Sequence, residues 1–177
     1  MNPNIPQDLV LAVHPMARGF AWIAYDGPFS PWAWEVLHVH GYRNDNIIAR
    51  VADRLAELNP QTLVLEAFEP KSSKRVPRMA RLGRALAALA RDRGIEVAVF
   101  THGEVKACFS HVGASTRQEI AQAVARHTPA LAAQLPKQRR PWEPEPLNMA
   151  LFSAAALAIT SFARDAREFL DELRRAT

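Results

Sequence analysis

The chain begins with two short apolar runs, Leu9 to Val13 and Phe20 to Tyr25, each continuous enough for a buried strand, with a turn over Pro15 to Gly19 between them. Asp26-Gly27-Pro28 closes the second run, and Trp34 to His40 alternates well enough for a third strand. Short links between three sequential strands predict an antiparallel meander. From Asp45 the period changes: Ile47, Val51, Leu55 and Leu58 fall on one helical face until Asn59-Pro60 ends it. Thr62 to Leu65 is a β-branched and aliphatic run reached through that helix, which predicts a strand parallel to the first, with Glu66 at its C-terminal end.

Glu69 to Pro77 is polar, basic and bounded by proline, a loop; after it Met79, Leu82, Leu86 and Leu89 mark a helix that stops at Gly94. Ile95 to Phe100 is the fifth strand. A short helical segment around Glu104 to Cys108 follows, then a loop through Gly113 and a helix whose start has capping-box spacing, either Ser115 with Gln118 or Thr116 with Glu119. Pro136 to Pro146 is a proline-rich loop, and residues 146–174 form a long C-terminal helical segment, apolar in its first half and amphipathic from Arg164. The order predicts one α/β domain spanning 1–177, with a five-stranded mixed sheet flanked by helices.

Composition agrees. A chain of 177 residues, 49% hydrophobic and 23% charged, has the size and core material of a single domain. Seven glycines exclude a collagen-like class, and no run approaches the ~18 uninterrupted apolar residues of a membrane span. The opening segment lacks a basic region and Cys108 is the one cysteine, so the expectation is a cytoplasmic protein with neither disulfide nor membrane partner.

Charge adds a candidate chemistry. Lys and Arg exceed Asp and Glu by 22 to 18, and the excess is unevenly placed. Lys71, Lys74, Arg75, Arg78, Arg81 and Arg84 follow one another with no acid between them, and Lys137, Arg139 and Arg140 form a second cluster. Two readings stay open: a solvated helix face, or a phosphate-binding surface that gains affinity by counterion release.

In their order and spacing these segments resemble the RuvC-type Holliday junction resolvases, a family with the RNase H-like fold, from about Leu9 to Phe162. Leu-Ala-Val-His14-Pro15-Met-Ala-Arg18 stands where the family has a strand ending in aspartate, then Pro-Gly-Ser-Arg. Leu-Val-Leu-Glu66-Ala-Phe68 is similar to the second acidic motif, with an aromatic two residues on, and Arg81-Leu-Gly-Arg-Ala-Leu to the segment after it. Glu104-Val-Lys106, followed by Arg117 at a capped helix start, resembles a region with two basic DNA-contacting residues. Asn148-Met-Ala150-Leu-Phe-Ser153 and the small apolar residues after it resemble the terminal helix, with Ala150 and Ser153 at its two acidic positions.

The resemblance implies phosphodiester cleavage by two divalent cations, Mg²⁺ or Mn²⁺, held by acidic residues. The matching set here is His14, Glu66, Ala150 and Ser153, a single carboxylate, so the expectation is a degenerate centre that needs no cofactor and binds branched or duplex DNA without cutting it. Arg18, Phe68, Lys71, Lys74, Arg75 and Arg78 would flank the DNA groove, with Lys106 and Arg117 across it, and Phe68 would stack on a base. The family also implies a homodimer, for which exposed apolar residues of the Met79 to Leu89 helix offer an interface. Two alternatives remain: an active nuclease with a rearranged site using His14, Glu66 and Asn148, or Glu143 or Glu145, and a protein-interaction module without DNA binding. A softer ion between His14 and Glu66 is a weaker variant of the first. His38 and His40 read as surface histidines; His102, His111 and His127 as scattered loop or helix-end residues; Trp32, Trp34 and Trp142 as packing or interface residues; and Cys108 as a small buried side chain.

Overall fold

The computed structural model describes residues 5–16, 19–38, 44–68, 76–140 and 142–175. Strands β1 (Val10–Met16), β2 (Gly19–Tyr25) and β3 (Pro31–His38) form the antiparallel meander. Helix α1 (Asn44–Leu58) crosses to β4 (Thr62–Ala67), parallel to β1, and α2 (Val76–Arg91) crosses to β5 (Glu96–Thr101), parallel to β4. The sheet order is β3-β2-β1-β4-β5, the five-stranded mixed sheet that the sequence predicts. Helices α3 (His102–Ser110) and α4 (Arg117–His127), a 3-10 turn over Pro129–Gln134, and α5 (Asn148–Arg175) complete the chain.

Two strand boundaries differ from the pattern reading. β1 runs on through Pro15 to Met16 instead of turning there, because Pro15 pairs with Phe20 and Met16 with Gly19 on the β2 side only. Its ladder to β4 ends earlier, at Val13 opposite Leu65. Gly19 makes the tight return possible: its φ is +144°, and a Cβ there would collide with the Leu37 carbonyl of β3. β3 starts at Pro31, ahead of Trp34.

Successive strand residues point to opposite sides of the sheet, and each side has its own core. Leu9, Leu11, Val13, Phe20, Trp22, Leu63 and Leu65 meet Ile47, Val51 and Leu55 of α1 and Leu82 and Leu86 of α2. Leu82 and Leu86 are wholly buried, and Met79 and Leu89 pack against the same cluster, so the apolar face of α2 belongs to the core and does not offer the exposed dimer interface expected of it. On the other side Val10, Ala12, Ala21, Ile23, Val64 and Phe100 meet α3, α4 and the first half of α5. Alanines 154, 155, 156 and 158 are buried there; small side chains let the helix lie close on the sheet. By length and composition α5 is apolar enough to cross a membrane, but its apolar half is the filling of this layer. Tyr25 is also buried here, its hydroxyl 3.0 Å from Thr128 Oγ1. Burial pushes the phenol up to about 12 against the opposing effect of that hydrogen bond.

Candidate functional site

The register that sets Val13 beside Leu65 brings the next residues, His14 and Glu66, together on the side of the sheet covered by α5. His14 is 6% exposed, and its Nδ1 lies 3.1 Å from Glu66 Oε2, close but poorly aligned for a linear hydrogen bond. α3 starts without a linker after β5, so its first residue, His102, brings Nδ1 to 3.7 Å from the other oxygen of Glu66.

The fifth member comes from α4. Of the two capping pairs the sequence offers, the structure uses Thr116 with Glu119: each side chain bonds the other residue's backbone N–H, and Ser115 N–H also donates to Glu119 at 2.8 Å. The backbone N–H groups of Ser115 and Thr116, then their hydroxyls, pull the Glu119 carboxyl down to about 2. This cap fixes the first turn of α4, which carries Arg117 into the site. Arg117 Nη2 lies 3.3 Å from His14 Nε2 and donates to Ser153 Oγ at 3.2 Å, while Nη1 donates to the two oxygens of Glu145 at 2.7 and 2.9 Å. A guanidinium can only donate. The hydrogen bond to His14 therefore uses the Nε2 lone pair and leaves the ring proton on Nδ1, facing Glu66.

Burial acts to raise the Glu66 carboxyl, but the His14 contact and the positive charges of His14, Arg117 and His102 outweigh it and hold the group below its usual value. Ser153 is braced on α5, its hydroxyl donating to the Met149 carbonyl at 3.1 Å. Between Glu66, His102, Arg117 and Ser153 is a cavity of about 30 Å³, room for roughly one water.

Of the four residues aligned with the family's acidic positions, three converge: His14, Glu66 and Ser153 meet around Arg117. Ala150 is 5% exposed and lies in the core. Two hard cations need several anionic oxygens. Glu66 is one carboxylate, its neighbours are imidazoles and a guanidinium, and Glu145 is engaged by Arg117. Among the described residues no three His, Cys, Asp or Glu side chains form a group that could hold a metal ion. The donor set does not fit a two-metal centre. The other candidates point elsewhere: Asn148 donates to Gln134 O at 3.4 Å, and Glu143 accepts from Arg140 N–H at 2.8 Å.

On the α2 side of Glu66 a cleft of about 420 Å³ is lined by Leu65, Phe68, Gly83, Arg84 and Arg91 as well as Glu66 itself. Phe68 is half-buried at this cleft, while Arg84 and Arg91 are exposed on α2. Of the expected DNA contacts, Arg18, Lys71, Lys74 and Arg75 lie outside the described residues, as does His40. Arg78 donates from Nε to Asn44 Oδ1 at 2.9 Å, tying α2 to the start of α1, and Lys106 is exposed on α3. Arg117, expected as a groove-side contact, is instead the hub of the polar cluster. His102, read as a scattered helix-end residue, belongs to it; the one available signal was its position directly after a strand ending next to Glu66.

Comparison with known proteins follows the same outline. No protein-family model and no curated protein matches the chain. Solved structures do: Thermus thermophilus RuvC in complex with a Holliday junction substrate superposes with a TM-score of 0.61 at 17% identity over 90% of this chain and 96% of that one. A second Thermus thermophilus RuvC structure gives 0.60 at 20% identity over 89% and 96%. The fold is RuvC-like. At these identities the RuvC likeness establishes the arrangement of sheet and helices, and the chemistry of the site rests on the side chains described above.

Proposed function

We propose that this protein binds branched or duplex DNA, as a homodimer, at the Glu66 end of its sheet and does not cleave it. One observation carries the reading: the Arg117 guanidinium stands against His14 and Ser153, held by Glu145, in the cluster where a two-metal nuclease needs carboxylates. Such a site can neutralise phosphate charge but cannot generate a metal-activated water. Support for DNA as the ligand comes from the RuvC structure solved with a Holliday junction. It also comes from the cleft joining Phe68 to Arg84 and Arg91, and from the exposed Lys106. In this reading the cations hold phosphates and set the position of the strand, while Phe68 stacks on an unpaired base at the branch. No cofactor is required.

Incubation of the full chain with a synthetic four-way junction in Mg²⁺ and in Mn²⁺ tests this. Binding that weakens steeply with salt, without nicked product, is expected. Replacing Lys71, Lys74 and Arg75 with alanine should lower the affinity and flatten the salt slope. Nicking in either metal would restore the reading of an active nuclease, and absence of binding would leave a protein-interaction module.

A further inference from the structure

The last third of α5 leaves the domain. From Asp165 to Glu172 every residue is exposed, and Phe169 and Leu170 are 60% and 51% exposed. A helical extension of this length is marginal in isolation. Beside its root is a groove of about 620 Å³ between the β2–β3 turn, the end of α3, α4 and α5 itself. Ile159, Phe162, Ala163 and Ala166 form its α5 wall. Those positions continue at helical spacing into Phe169 and Leu170, so one helix face lines a groove and, a turn further on, carries two side chains that nothing in its own domain covers.

The opposite wall is held in place. The rings of Phe29 and His127 are 4.6 Å apart, and His127 Nε2 lies 2.8 Å from the Pro28 carbonyl. His111, Arg126 and His127 are the titratable side chains of the lining apart from Cys108, with no carboxylate among them. The projecting segment has the opposite character: Glu168-Phe-Leu-Asp-Glu172 sets three acids around two apolar residues with no base between. Groove and tail are complementary in charge and in polarity, and one chain carries both.

We propose that the occupant of this groove is the α5 tail of a second copy, and that the exchange is reciprocal: each protomer inserts Phe169 and Leu170 into its partner's groove and sets Asp171 and Glu172 against the Arg126 rim. Such a contact closes under two-fold symmetry with two equivalent groove–tail interfaces. It gives the proposed homodimer a surface on the α4–α5 side and does not depend on DNA binding.

Sedimentation of the full chain without DNA, over the micromolar range, provides the test. A reversible dimer is expected, with F169E and F29E each weakening it by about tenfold or more, as loss of a central apolar anchor does. Both residues are exposed, so circular dichroism should report an unchanged fold. An equimolar mixture of the two variants should recover mixed dimers more stable than either alone, since F29E keeps an intact tail and F169E an intact groove. A monomeric wild type overturns the proposal, as does a dimer indifferent to both substitutions or a mixture without recovery. A monomer whose groove instead takes a synthetic acidic amphipathic peptide overturns it in favour of another protein. Monomers that still bind a junction would count against this interface alone, and dimers that bind none against the DNA reading alone.

Discussion

The two sides of the sheet are built from alternate residues of the same strands, yet they end differently. Towards α1 and α2, β1 and β4 present Leu9, Leu11, Val13, Leu63 and Leu65, and the apolar cluster is unbroken to the strand ends. Towards α5 they present Val10, Ala12 and Val64, then His14 and Glu66, and the cluster gives way to ion pairs and a buried imidazole. The contrast separates two kinds of contribution. Burial of aliphatic side chains stabilises the first side in proportion to area; on the second side, charges partly withdrawn from water recover through mutual contact much of what desolvation costs. A polar cluster at that place is retained for what it can bind, and the fold rests on the other side.

Three substitutions sharpen this contrast. The largest effect is expected from Leu11→Ala, which opens a void against α1 and α2 and should cost about 2–5 kcal/mol in urea unfolding. Next is Ala150→Asp, which places an unpaired carboxylate in the α5 layer, at about 2–3 kcal/mol. Ser153→Asp, three residues along, meets Arg117 and should cost clearly less; equal losses at the two positions would show that Arg117 does not act as the local counter-cation. Smallest is Arg117→Met, about 1–2 kcal/mol at neutral pH, because Glu145 is free to turn to water while Glu66 keeps its histidines. This last variant has a pH signature. A carboxyl held below its usual value contributes stability that is complete above the unfolded value near 4.5 and is lost as pH falls through the folded one. Removing Arg117 raises the folded value, narrows that window and moves the acid limb of the unfolding curve upward. An acid limb identical to wild type would remove Arg117 from the electrostatics of Glu66.

Much of the architecture is legible in the pattern of apolar positions, since each strand and helix carries its own period. The parallel placement of β4 follows from the helix that precedes it. His14 and Glu66 are visible as the polar residues that end two apolar strands. Glu145 and His102 are not legible in this way. Glu145 lies in a proline-bounded segment with no period to aim it, and His102 acquires its role from the absence of any linker between β5 and α3. Arg117 sits between these cases: its capped helix start is readable, whereas its target depends on how α4 packs on α5. The same limit explains the misplaced interface on α2, because an apolar helical stripe does not say whether it faces its own sheet or another molecule.

Pro15 has a practical consequence. With the β1–β4 ladder closed at Val13 and Leu65, a proline splits the sheet open below His14 and Glu66, leaving a fork whose tips can be rebuilt without breaking an inter-strand hydrogen bond. Carboxylates grafted onto positions 14 and 117 would therefore probe how few substitutions separate a quiet DNA-binding domain from a cutting one, on a scaffold already tolerant of the change.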